Sequence, residues 1–112
     1  MSSDMFANLE IEPRDVKALL DSGEKLLFVD VRESWEHQLC NIEGSRLIPL
    51  GQLASNLPAF ESAEDVVLFC HSGRRSLDAA AWLRSQGIVS ARSMTGGIDR
   101  WSREIDPSVP RY

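Results

Sequence analysis

The chain alternates short apolar runs with amphipathic stretches, and that alternation predicts its elements. Leu9-Glu10-Ile11-Glu12 alternates apolar and charged positions, as a short first strand does. Pro13 suits the first turn of a helix, predicting one from Pro13 to Leu20, with Asp15 near its start and Gly23 as its stop. Leu26-Leu27-Phe28-Val29-Asp30-Val31 is a near-continuous apolar run, the mark of a strand covered on both faces. Glu33 to Leu39 reads as a short helix, Arg46 to Pro49 as a third strand, and Leu50 to Leu57 as another short helix stopped by Pro58. Val66 to Phe69 is the fourth strand. Ser76 to Gln86, rich in alanine and leucine and closed by Gly87, is the strongest helix. Arg92-Ser93-Met94 reads as a fifth strand, followed by a Gly96-Gly97 turn, a helix through Trp101, and an irregular tail from Asp106 to Tyr112. Strands alternating with helices predict an α/β fold of three layers, a parallel sheet of about five strands flanked by helices with right-handed connections.

At 112 residues the chain has the size of one domain, 1–112, long enough to bury a core without staples. The N-terminus has neither a basic segment nor an apolar one of signal-peptide type, and no apolar run reaches the ~20 residues that span a bilayer. Cys40 and Cys70 stand far apart without metal-ligand spacing, which argues against a zinc site or a disulfide framework and fits a reducing, cytoplasmic setting. A net charge of −5 speaks against nucleic acid or an anionic membrane as partner. An anionic substrate must then be attracted locally.

The local source is Val66-Val67-Leu68-Phe69-Cys70-His71-Ser72-Gly73-Arg74-Arg75-Ser76. Cys70 ends a buried strand, and in an open parallel sheet ligands bind beyond the strands' carboxyl ends. The few residues before the next helix must curl, and a curled run of N–H groups opening into a helix is a nest for an anion. Gly73 permits the positive φ of such a curl. The same field, with Arg74 and Arg75, favours a negative sulfur on Cys70. Two chemistries use a cysteine held this way: attack on phosphorus, or attack on the outer sulfur of an anionic donor. Cysteine phosphatases carry Cys-x5-Arg, which would require arginine where Ser76 stands. Here the spacing is Cys70-x4-Arg75, a smaller ring suited to one sulfur atom.

In these motifs the chain resembles the single-domain rhodaneses, thiosulfate or persulfide sulfurtransferases. The resemblance rests on Phe28-Val29-Asp30-Val31-Arg32-Glu33 with Trp35-Glu36, and on Ile42-Glu43-Gly44-Ser45 leading to Ile48-Pro49-Leu50. Cys70-His71-Ser72-Gly73-Arg74-Arg75-Ser76 and Thr95-Gly96-Gly97-Ile98-Asp99-Arg100-Trp101 complete it. The ending from Ile105 to Tyr112 is similar to rhodanese domains at the C-terminus of ubiquitin-activating-like enzymes. The resemblance implies a Cys70 persulfide intermediate and a loop, His71 to Ser76, that binds the substrate. It implies no metal or organic cofactor. It implies a small anionic donor, thiosulfate or a persulfide, and leaves a protein sulfur donor or a thiocarboxylate sulfur carrier as candidate partners. A cysteine phosphatase or arsenate reductase, and a non-catalytic rhodanese-like binding module, are the alternatives. The chain departs from the family at Cys40-Asn41-Ile42, where relatives usually carry Gly-His-Ile.

Other residues read more plainly. Cys40 reads as a structural thiol, with a secondary sulfur acceptor as its functional alternative. Arg75, closing the loop, is expected to support it, and Arg74 to face the donor or acceptor. Cations there oppose the helix dipole at a cost of some tenths of a kcal/mol each, which a bound anion would offset. His71 reads as a rim residue and His37 as a surface one. Asp30, Arg32 and Glu33 read as a charge cluster bracing the sheet edge, and Trp35, Trp82 and Trp101 as packing anchors.

Overall fold

A computed structural model describes residues 6–112. The strands are β1 (Glu10–Ile11), β2 (Leu26–Asp30), β3 (Arg46–Leu47), β4 (Asp65–Phe69) and β5 (Ala91–Met94). They form one sheet in the order β1-β5-β4-β2-β3, and every neighbouring pair is parallel. The helices are α1 (Pro13–Asp21), α2 (Ser34–Leu39), α3 (Leu57–Glu61), α4 (Arg74–Ser85) and α5 (Gly97–Glu104). This is the expected α/β architecture. No helix among the described residues is long and apolar enough to cross a membrane.

Strand β4 shows why the central apolar runs are unbroken. Successive side chains point to opposite faces of a sheet, and both faces are covered here. Val66, Leu68 and Cys70 join Ala79, Ala80, Leu83 and Phe60 in one core. Val67 and Phe69 join Val16, Ile98, Trp101 and Val109 in the other. Helices α3 and α4 thus cover one face, and α1 and α5 the other. Phe28 and Phe69, on neighbouring strands β2 and β4 and offset by two residues in the register, have ring centroids 5.0 Å apart.

Three expectations are corrected. The segment from Leu50 to Leu57 is not one short helix but two 3-10 turns, Leu50–Gln52 and Ala54–Asn56. Pro58 does not stop a helix there. It sits in the first turn of α3, where its missing N–H costs nothing. Of the three tryptophans only Trp101 is a buried anchor: Trp35 is 62% and Trp82 36% exposed. A tryptophan's bulk favours burial, but the helix face that carries it decides.

Candidate active site

Strand β4 ends at Phe69, and helix α4 begins at Arg74, two residues earlier than its alanine-rich pattern suggests. Only Cys70 to Gly73 connect them. Gly73 caps the helix at φ +104°, and a Cβ there would stand 3.2 Å from the Gly96 nitrogen. Glycine is needed on both counts. The turn brings two amides to the thiol: Gly73 N–H donates to Cys70 Sγ at 3.1 Å and Ser76 N–H at 3.4 Å. The Ser76 hydroxyl lies 3.5 Å from the same sulfur and 2.7 Å from the Ser93 hydroxyl on β5. The sulfur therefore sits at the opening of a 12-residue helix, with donors aimed at it. Cys70 itself is only 1% exposed.

The carbonyl side of the loop is held from behind. Ile98 N–H donates to the Cys70 carbonyl at 2.9 Å and Asp99 N–H to the His71 carbonyl at 3.1 Å. Both donors belong to the first turn of α5. They come this close because Gly97, at φ +59°, has no side chain: a Cβ would overlap both carbonyl groups. The Gly96-Gly97 pair, readable in the sequence only as a turn, is thus a brace for the Cys70 loop.

Among the other loop residues, Ser72 and Arg74 are exposed and His71 half-buried. Arg75, half-buried, chelates Glu36, with Nη1 to Oε1 at 2.7 Å and Nη2 to Oε2 at 2.9 Å. Glu36 is buried, and four donors fill its two oxygens: both Arg75 groups, the Glu33 N–H at 3.0 Å and the Tyr112 hydroxyl at 2.7 Å. Arg75, with these neighbours, holds the Glu36 carboxyl down at about 2 against the desolvation that opposes it. The carboxylate in turn holds Arg75 above the usual guanidinium range, and the nearby Cys70 adds in the same direction. The compensation expected from a bound anion at Arg75 is supplied within the protein, by Glu36.

The charge cluster at the sheet edge is partly as expected. Arg32 is fully buried, and its Nε and Nη2 grip the two Asp30 oxygens at 2.9 and 2.8 Å. Its Nη2 also donates to the Cys40 carbonyl at 2.6 Å, and its Nη1 lies 3.8 Å from Cys40 Sγ. Cys40 is accordingly a packed partner of Arg32. Glu33 takes no part in that pair; it caps α2 in a reciprocal box with Glu36. His37 is more than a surface residue, since its Nδ1 lies 2.8 Å from Asp30 Oδ2.

The Rhodanese-like domain model matches residues 12–104. Adenylyltransferase and sulfurtransferase MOCS3-1 of Zea mays is 37% identical over 106 residues, covering 88% of this chain and 23% of that protein. The putative sulfur carrier protein YrkF of Bacillus subtilis is 33% identical over 97 residues, covering 87% of this chain and 52% of that one. The human single domain sulfurtransferase TSTD1 superposes with a TM-score of 0.75 at 26% identity, covering 86% of this chain and 96% of that one. The chain therefore spans less than a quarter of the maize protein and about half of the Bacillus one. With the family's sequence pattern running through four of its five strands and the cysteine loop between them, the chain belongs to the rhodanese-like domain family, among relatives named as sulfurtransferases and a sulfur carrier.

Proposed function

We propose that this domain, 1–112, is a sulfurtransferase that works through a persulfide on Cys70. The observation that carries the reading is the pair of amides, Gly73 N–H and Ser76 N–H, converging on Cys70 Sγ at 3.1 and 3.4 Å. Donors fixed before the reaction favour negative charge on that sulfur without reorganising. In the first step the Cys70 thiolate attacks the outer sulfur of thiosulfate. A Cys–S bond to that sulfur forms, the S–S bond of thiosulfate breaks, and sulfite leaves with the electron pair. In the second step a nucleophile such as cyanide attacks the outer sulfur, and the Cys70 thiolate is returned. Neither step requires a redox cofactor or a metal.

The four-residue spacing between Cys70 and Arg75 favours this over phosphoryl transfer, because the ring closes on one sulfur atom rather than a tetrahedral phosphate. The retained thiol favours it over a binding module. His71 to Ser76 form the donor-binding loop, with the exposed Arg74 guanidinium at its rim. A sulfur carrier is the kind of partner that the name of the Bacillus relative, a putative sulfur carrier protein, suggests. A reducing compartment such as the cytoplasm belongs to the same reading, because the mechanism needs a reduced thiol.

The test is thiocyanate formation from thiosulfate and cyanide, read with intact mass. Wild type treated with thiosulfate gains one sulfur atom, reversibly with cyanide. Cys70→Ser abolishes both, while Cys40→Ser keeps most of the activity. Turnover that persists in Cys70→Ser would sink the reading.

A further inference from the structure

The irregular tail folds back onto the cysteine loop. Val109 is buried in the core beneath α5, its carbonyl accepts the Ser102 hydroxyl, and Arg111 Nε donates to Asp99 Oδ1 at 3.0 Å. These contacts deliver Tyr112 to the rim of the site. Its ring stacks on the His71 imidazole, with centroids 4.1 Å apart and planes 13° from parallel. Its hydroxyl donates to Glu36 Oε2 at 2.7 Å and accepts from Arg32 Nη1 at 2.8 Å.

The two ends of the loop meet here. His71 directly follows Cys70. Its carbonyl is held by α5, but its ring makes no hydrogen bond among the described residues, so the stack is what orients it. Arg75 closes the Cys-x4-Arg ring, and its guanidinium is held by the carboxylate that also receives the Tyr112 hydroxyl. One side chain thus contacts the first loop residue directly and the last through a single intermediary.

We propose that Tyr112 is a positioning residue for the Cys70 loop, setting the His71 ring by stacking and the Arg75 guanidinium through Glu36. The proposal rests on Cys70 as the nucleophile. It deepens that reading by making the loop's shape depend on the tail as well as on the strand and helix that flank it. A loop anchored at both ends keeps the 1%-exposed Cys70 covered and its donors aimed. Loosening the anchors uncovers the thiol to any small reagent while spoiling the geometry that transfer needs. The two effects run in opposite directions; unfolding would do the same, so its share is removed by working far below the thermal midpoint and by testing the coupling to His71.

The experiment compares Tyr112→Phe and Tyr112→Leu by thiosulfate:cyanide kinetics and by the rate of Cys70 labelling with iodoacetamide. Cys40→Ser is built into every chain so that the label reports one thiol, and all measurements are made well below each variant's thermal midpoint. Tyr112→Leu should lower kcat/KM and raise labelling, each by about tenfold, the upper end of what one aromatic stack supplies. Tyr112→Phe keeps the stack but takes the hydroxyl from Glu36, and should fall between wild type and Tyr112→Leu on both readouts. Added to His71→Ala, Tyr112→Leu should accelerate labelling less than it does alone, because the two act as a unit. Labelling of Cys70 in Tyr112→Leu at the wild-type rate would overturn the inference. The labelling arm needs no sulfur transfer, so it judges Tyr112 even where the thiosulfate assay fails the Cys70 reading.

Discussion

Glu36 offers the sharpest test of how the site is held. Its carboxyl is buried, carries four donors, and titrates at about 2 against an ordinary value of 4.5. A folded-state value below the unfolded one means that the contribution to stability is complete above pH 4.5 and fades as the pH falls toward 2. The full contribution is about 3 kcal/mol, from about 1.4 kcal/mol for each tenfold change in proton affinity. At pH 3 the native carboxyl is still ionised and the unfolded one mostly protonated, which leaves about 1.4 kcal/mol. Glu36→Gln keeps the shape and removes the titration. The stability difference between wild type and Glu36→Gln should therefore shrink by about 2 kcal/mol between pH 6 and pH 3. Urea unfolding followed by tryptophan fluorescence measures it, since Trp101 is buried in the core and urea leaves ionic strength unchanged. A difference that stays constant across that range would refute the claim that Glu36 anchors Arg75 and Tyr112 as a carboxylate.

The other consequences concern the brace and the rim. Gly97→Ala drives a methyl group into the Cys70 and His71 carbonyls and strains a φ of +59°, so it should cost about 1–3 kcal/mol in urea unfolding and more than tenfold in sulfur transfer. Arg74 is exposed at the loop's rim, so Arg74→Ala should leave stability within about 0.5 kcal/mol of wild type while raising the KM for thiosulfate. An unchanged KM would mean that the amides alone attract the donor.

Much of the fold was readable because its signals are local. The apolar runs from Leu26 to Val31 and from Val66 to Phe69 announce strands, the first covered on both faces, and in the sheet β4 is the middle strand with β2 beside it. The cysteine loop was readable for the same reason. The interval between Cys70 and Arg75 is covalent, and a strand followed at once by a helix leaves the chain no other way to turn. Pro58 shows the limit of such signals. Proline stops a helix or starts one with equal local justification, and only the packing of Phe60 into the core selected the start.

What the sequence determined by itself was thus the alternating elements, the parallel sheet, and a thiol at the mouth of a helix with an arginine five positions on. Only the tertiary structure decided which groups answer each other across it. Arg75 could equally have faced the pocket or the solvent, and its partner Glu36 lies 39 residues away. Tyr112 reaches Glu36 across 76 residues of chain, and Gly97 meets the carbonyls of Cys70 and His71 from another strand's end. Such pairings carry no periodicity and no spacing rule. They follow from burial: a carboxylate enclosed like Glu36 must collect its donors from whatever the fold brings within reach, and an imidazole without a hydrogen bond takes the ring that packs against it.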